Sequence, residues 1–176
     1  VWPIFTDSKH KVLSFPPIIN SNDLGRVTEY TTNILIEVTG TAYKNVLNTL
    51  TNVTLALADR GGSIYSAEIH YPYEDVRNVV TPELRVETLS LDVDYVRKVT
   101  GIELNVSEIK DLLERSRYGV TDATELKVTV EIPCYRVDIM HAIDVVEDIA
   151  IAYNYNKMKH RWPKLFTIGD ISVESK

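Results

Sequence analysis

From Leu126 to Ile132 apolar and polar side chains alternate without a break, Leu126, Val128, Val130 and Ile132 against Lys127, Thr129 and Glu131. Successive side chains on a strand point to opposite faces, so this run reads as a half-buried β-strand whose apolar face must be covered by a second layer. A helix over Asp144 to Tyr153 follows, with Val145, Val146, Ile149, Ala150 and Tyr153 as its core stripe. Upstream, Val86 to Leu91 starts a strand, and Asp92 is placed to cap a helix over Val93 to Thr100 that Gly101 stops. A further helix begins behind Asn105 with Ile109, Leu112 and Leu113 inward. The order strand, helix, helix, strand, helix is that of a small winged-helix-like module.

The N-terminal half has a different texture. Trp2 to Phe5 and Val12 to Phe15 read as strands, with a turn at Asp7-Ser8-Lys9 between them and the rigid Pro16-Pro17 behind. Ile34 to Val38 reads as a further strand. From Thr41 to Arg60 the residues Tyr43, Val46, Leu47, Leu50, Val53 and Leu57 keep helical spacing, and Gly61-Gly62 terminates the helix. Alternation returns over Ser63 to Tyr71. Strand, helix, strand is the pattern of an α+β layer, so the expected fold class is α+β throughout. Irregular sequence at Tyr71-Pro72-Tyr73-Glu74-Asp75 and Thr81-Pro82-Glu83 places a domain boundary there, giving 1–83, 84–158 and a linker over 159–176.

Composition removes several function classes. The chain of 176 residues has one cysteine, Cys134, which excludes a disulfide framework and a cysteine zinc site and suits a reducing, cytoplasmic setting. A formal net charge of -6 argues against a surface built wholly for phosphate binding. No apolar run approaches the roughly 18 to 20 residues of a membrane span. The opening Val1-Trp2-Pro3 enters directly on a strand-like segment without methionine, as a piece of a larger polypeptide would.

Chemistry concentrates in the carboxylates Asp138, Asp144, Glu147 and Asp148. Asp144, Glu147 and Asp148 stand at i, i+3 and i+4, so a helix sets them on one face, and like charges that close call for something positive. A hard cation such as Mg2+, or an Arg or Lys from another subunit, would serve. The plainer alternative is that Asp144 caps the helix, Glu147 completes a capping box and Asp148 is solvated. Spacing does not separate these readings. Lys157, Lys159, His160, Arg161 and Lys164 with Trp162 form one basic and aromatic stretch, read as a solvated linker before a tRNA contact. Asn52-Val53-Thr54 and Asn105-Val106-Ser107 match the glycosylation pattern and are taken as accidental, Asn52 lying inside a predicted helix.

The string Pro133-x-x-Arg136-x-Asp138-Ile139, then Asp144-x-x-Glu147-Asp148-Ile149-Ala150-x-x-Tyr153-x-Tyr155, resembles the winged-helix-like fifth module of the phenylalanyl-tRNA synthetase beta subunit. The likeness extends upstream through Leu91-Asp92-Val93-x-Tyr95-Val96, Gly101, Leu112-Leu113 and Tyr118-Gly119, over about Leu84 to Met158. Leu13-Ser14-Phe15-Pro16-Pro17-Ile18-Ile19-Asn20 and Thr32 to Thr41 resemble the editing domain of the archaeal and eukaryotic form of the same subunit. The resemblance implies the later part of that editing domain followed by the whole winged-helix-like module. It further implies a magnesium site at Asp138, Asp144, Glu147 and Asp148 shared with the alpha subunit. Asp148 is the shorter-reaching aspartate where many relatives carry glutamate.

The parent enzyme attaches phenylalanine to its tRNA using ATP and magnesium, as a heterotetramer of two alpha and two beta subunits, with the activating site in alpha. Its editing domain hydrolyses tyrosine wrongly attached to that tRNA, because a phenylalanine pocket cannot strongly reject an added hydroxyl. By family position Glu37 would bind the phenol, while Asn20 and Ser14 would line the pocket and place the ester or the attacking water. Glu37 also interrupts the apolar run Ile34-Leu35-Ile36-Glu37-Val38, on the parity of Leu35. The fragment by itself is expected neither to aminoacylate nor to edit alone. The rival reading is a non-catalytic adaptor whose winged-helix-like module binds protein or RNA.

Overall fold

A computed structural model describes residues 3–72, 77–160 and 169–173. The expectations that involve Trp2, Tyr73-Glu74-Asp75, Arg161, Trp162 and Lys164 fall outside these residues. The chain forms two compact units, Val1–Glu87 with Ile132–Asp138, and Thr88–Glu131 with Ile139–Lys176.

The first unit opens with the strands β1 (Phe5–Thr6), β2 (Val12–Phe15) and β3 (Ile19–Asn20), an antiparallel sheet in the order β1-β2-β3. Asp7 makes the first turn, its Oδ1 accepting the amides of Lys9 at 2.9 Å and Lys11 at 2.8 Å. An aspartate that bonds its own backbone in this way mimics a peptide turn. At Pro16-Pro17 the Ile18 amide donates to the Phe15 carbonyl at 2.9 Å and sends β3 back along β2. Helix α1 (Tyr43–Ala58) follows and ends where Gly61 takes a φ of 93° that few other residues tolerate. β4 (Ala67–Ile69) then pairs antiparallel with β5 (Val79–Thr81).

Two expectations for this unit need correcting. Ile34–Val38 joins no ladder among the described residues, and Ile34 and Leu35 stay 50% and 72% exposed. Alternation reports that a segment could be half-buried, not that a neighbour lies beside it. In α1 the expected stripe is not buried either, since Tyr43, Val53 and Leu57 are exposed while Thr51 and Thr54 are buried. The Thr51 hydroxyl meets the Glu83 carbonyl at 3.3 Å, which relieves its burial, and Leu50 and Leu57 line a cavity instead of packing.

The second unit holds the buried apolar core. β6 (Glu87–Asp92) leads into α2 (Val93–Thr100) and α3 (Val106–Arg115), followed by β7 (Gly119–Ala123), β8 (Lys127–Ile132) and α4 (Ala142–Tyr153). The sheet order is β6-β8-β7, so the alternating strand is the central one. Val128 and Val130 are fully buried and Ile132 nearly so, as alternation requires, whereas Leu126 lies ahead of the strand and is 70% exposed. Leu91, Val96, Ile109, Leu113, Val145 and Ile149 close the core from the other elements.

Local chemistry sets the helix ends. Asp92 Oδ1 accepts the Tyr95 amide at 3.0 Å, and Gly101 stops α2 in the left-handed region with φ 69°. Asn105 Oδ1 accepts the Glu108 amide at 2.9 Å while Glu108 Oε2 accepts the Asn105 amide at 2.8 Å, a reciprocal capping box. Replacing Asn105 with Ala should therefore cost about 1 kcal/mol. Leu113→Ala, which empties a fully buried site, should cost about 2–5 kcal/mol in urea denaturation followed by circular dichroism. A Leu113→Ala loss no larger than that of Asn105→Ala would contradict this packing.

Candidate functional site

In the first unit three polar residues from separate stretches of sequence come together. Ser14 and Asn20 are partners across the β2–β3 ladder. Ser14 is 8% exposed, and its Oγ donates to Glu37 Oε2 at 2.9 Å, bridging 23 residues of sequence. A buried hydroxyl needs an acceptor, and an ionised carboxylate is the stronger kind. Glu37 itself is exposed, and Ser14 steadies its Oε2. Such a group can accept a hydrogen bond from an incoming O–H or N–H.

Beside Glu37 in sequence, residues 32–36 line a cavity of about 550 Å³ with Leu50, Leu57, Ile64 and Pro82 as further apolar wall. Asn33, Thr54, Arg60, Ser63 and Tyr65 supply the polar part of the lining. Asn52 sits in α1 with its Oδ1 buried and without a hydrogen-bond partner among the described residues.

The acidic residues are arranged differently from the three polar ones. Arg136 holds Asp138 through a two-pronged contact, Nε to Oδ1 at 2.9 Å and Nη2 to Oδ2 at 2.7 Å. This guanidinium hydrogen bond keeps the Asp138 carboxyl below the usual carboxylate range, outweighing the opposing effect of its partial burial. α4 starts two residues ahead of Asp144, so that residue is not the N-cap of the plainer sequence reading. Its Oδ2 reaches back to the amides of Met140 at 2.8 Å and His141 at 2.7 Å, satisfying donors that the helix start leaves open. Asp148 Oδ2 accepts the Tyr118 hydroxyl at 2.5 Å. Glu147 is exposed, with no hydrogen-bond or ion-pair partner among the described residues.

Among the described residues no group of three or more His, Cys, Asp and Glu side chains is placed to hold a metal ion. Protein donors engage Asp138, Asp144 and Asp148 individually. Spacing also gave no hint of Tyr118 as the partner of Asp148. A tyrosine in a core carries a hydroxyl that must find an acceptor, and Tyr118 is 3% exposed. Of the basic stretch, Lys157 lies in a short 3-10 turn, Tyr155–Lys157. No helix among the described residues is long and apolar enough to cross a membrane.

Comparison with known proteins puts these features in context. The tRNA synthetase B5 domain family matches residues 89–155. The phenylalanine–tRNA ligase beta subunit of Thermococcus gammatolerans is 45% identical over 168 residues, 96% of this chain and 29% of the relative. Those of Pyrococcus furiosus and Methanocorpusculum labreanum are 43% and 44% identical over 96% of the chain, covering 30% of each relative. The chain therefore spans less than a third of the length of these relatives. A crystal structure of an N-terminal fragment of the phenylalanyl-tRNA synthetase beta subunit from Pyrococcus horikoshii superposes with a TM-score of 0.77 at 39% identity. It covers 88% of this chain and 43% of that one, and the α+β architecture is shared.

The Arg136–Asp138 pair gives a test of the acidic loop. A carboxyl whose folded pKa is lowered adds stability above its unfolded pKa and loses it as pH falls through the folded value. Arg136→Gln should raise the Asp138 pKa toward its ordinary value in a carbon-detected NMR titration, with acid unfolding beginning at a higher pH. An unchanged Asp138 titration would show that the guanidinium is not the cause.

Proposed function

The chain belongs to the phenylalanine–tRNA ligase beta-subunit family, and from that premise we propose that it is the stretch serving both proofreading and subunit contact. The whole enzyme would attach phenylalanine to its tRNA with ATP, and this stretch would support the hydrolysis of tyrosine placed there in error. The observation that carries the reading is the Ser14–Glu37 hydrogen bond beside Asn20. A phenylalanine pocket discriminates weakly against one added hydroxyl, so a separate site must read that hydroxyl with a polar group. Glu37 accepts the phenolic O–H, and Ser14 fixes the carboxylate. Asn20, across the ladder, helps place the ester or the water that attacks its carbonyl. Water adds to the ester, the tRNA hydroxyl leaves, and free tyrosine is released.

The B5-matching part takes the partner role in the same proposal. Glu147 is the acidic side chain on the α4 surface that the described residues leave without a partner, and it meets positive charge from the alpha subunit or a magnesium ion at that contact. Chemistry supplied by the ion is confined to charge neutralisation between the subunits, and no step of the hydrolysis depends on it. The alternative reading is a binding module without activity, in which the Ser14–Glu37 hydrogen bond would serve packing alone.

In the full-length ligase, Glu37→Ala should lower kcat/KM for deacylation of tyrosylated phenylalanine tRNA by about a hundredfold or more. Deacylation that survives this change would overturn the proofreading assignment. Glu147→Gln removes charge without touching a cap and should weaken Mg2+ binding or alpha association in calorimetric titration. Asp144→Ala is a poorer probe, because it also releases two amides at the helix start. If both titrations match the unaltered protein, the partner role falls.

A further inference from the structure

The structure assigns Gly25 as a positioning residue for Asn20, an inference that rests on the proofreading reading of the Ser14, Asn20 and Glu37 site. After β3 the Ser21 amide donates to the Leu13 carbonyl at 2.8 Å, extending the β2–β3 ladder one step beyond the Ser14–Asn20 pair. The chain then folds back. The Leu24 amide donates to Ser21 Oγ at 3.0 Å and the Gly25 amide to the Ser21 carbonyl at 3.0 Å. This turn lays Gly25 against the ladder at the residues that carry the site.

A Cβ at position 25 would stand 2.6 Å from the Leu13 carbonyl oxygen, 3.0 Å from Asn20 Cβ and 3.1 Å from the Ser21 amide nitrogen. Two of these neighbours are backbone, and the third is the first side-chain atom of Asn20, so no side-chain rotation makes room. The ladder or Asn20 has to move. Leu13 is held between its neighbour Ser14, which is buried and bonded to Glu37, and the Ser21 amide. Asn20 is exposed at the end of a two-residue strand and yields more easily. The absence of a side chain at Gly25 therefore sets where Asn20 sits against the Ser14–Glu37 pair. Placement errors near 1 Å at a reacting centre cost up to roughly a hundredfold in rate.

The test is a double-mutant cycle on deacylation of tyrosylated tRNA by the full-length ligase, with Gly25→Ala, Asn20→Ala and both together. Gly25→Ala should lower kcat roughly tenfold to a hundredfold with little change in KM. On the Asn20→Ala background it should add nothing, whereas a purely structural defect would lower both backgrounds alike. Losses that multiply, or a Gly25→Ala rate within about twofold of the unaltered enzyme, would overturn the positioning role. If Asn20→Ala itself leaves deacylation intact, the placing role of Asn20 falls and takes this one with it, whereas the proofreading reading stands or falls with Glu37→Ala. Should Gly25→Ala fail to fold, Ser21→Ala loosens the same turn without steric insertion. Its loss should also vanish on the Asn20→Ala background, and persistence there would overturn the inference.

Discussion

A hydroxyl enclosed in a strand has to find an acceptor, and the organisation of the first unit around its polar site follows from where Ser14 finds one. Its bond to Glu37 ties β2 to the stretch 33–38, which has no ladder of its own among the described residues. The net worth of such a bond is modest, about 1.5–3 kcal/mol where one partner is charged. Its loss would matter more for geometry than for stability. Without it nothing described would hold Glu37 facing the Ser14–Asn20 step of the ladder. The same contact is thus a packing solution for one residue and an orienting device for another.

The two units satisfy their side chains by different means, and this decided how much could be read from sequence. In the second unit apolar burial dominates, and periodicity is the direct record of apolar burial. The strand ending at Ile132, the helices behind Asp92 and Asn105, and the stop at Gly101 were all legible. β7 was not, since Gly119–Ala123 is an edge strand with most of its residues exposed and no apolar alternation to betray it. In the first unit the buried side chains include Ser14, Thr51, Thr54 and Thr81, and the apolar stripe of α1 lines a cavity. A reader of hydropathy places that stripe in a core. Polar burial is governed by hydrogen-bond partners distant in sequence, which pattern alone does not reveal.

The site residues divide along the same line. Ser14 and Asn20 look unremarkable by spacing, as strand and turn positions, and Glu37 stands out only as a break in an apolar run, so likeness to a family gave all three their roles. Their convergence depends on a ladder register and a contact across 23 residues, both tertiary facts. Gly25 was invisible for a related reason. A glycine kept for space at a crossing looks the same in sequence as one kept for a turn. The acidic residues show the converse, because they were conspicuous in sequence while their partners were not.

Four carboxylates within eleven positions, 138 to 148, ought to repel, yet three of them have protein partners. Asp138 is neutralised by Arg136. Asp144 lies in the first turn of α4, where backbone amides and the helix dipole both favour negative charge. Asp148 is half-buried and bonded to the Tyr118 hydroxyl, which ties α4 to the residue just ahead of β7. Each of these three has a partner close by in sequence or in the same unit. Glu147 differs, being exposed on the helix surface with Ile143 and Ile151, one turn to either side, also exposed. A carboxylate flanked by apolar side chains would be strongly desolvated by any surface that covered it, and an unpaired buried charge is costly. A surface that covered this face of α4 would have to meet the Glu147 carboxylate with positive charge or hydrogen-bond donors, a requirement that apolar contact alone does not satisfy.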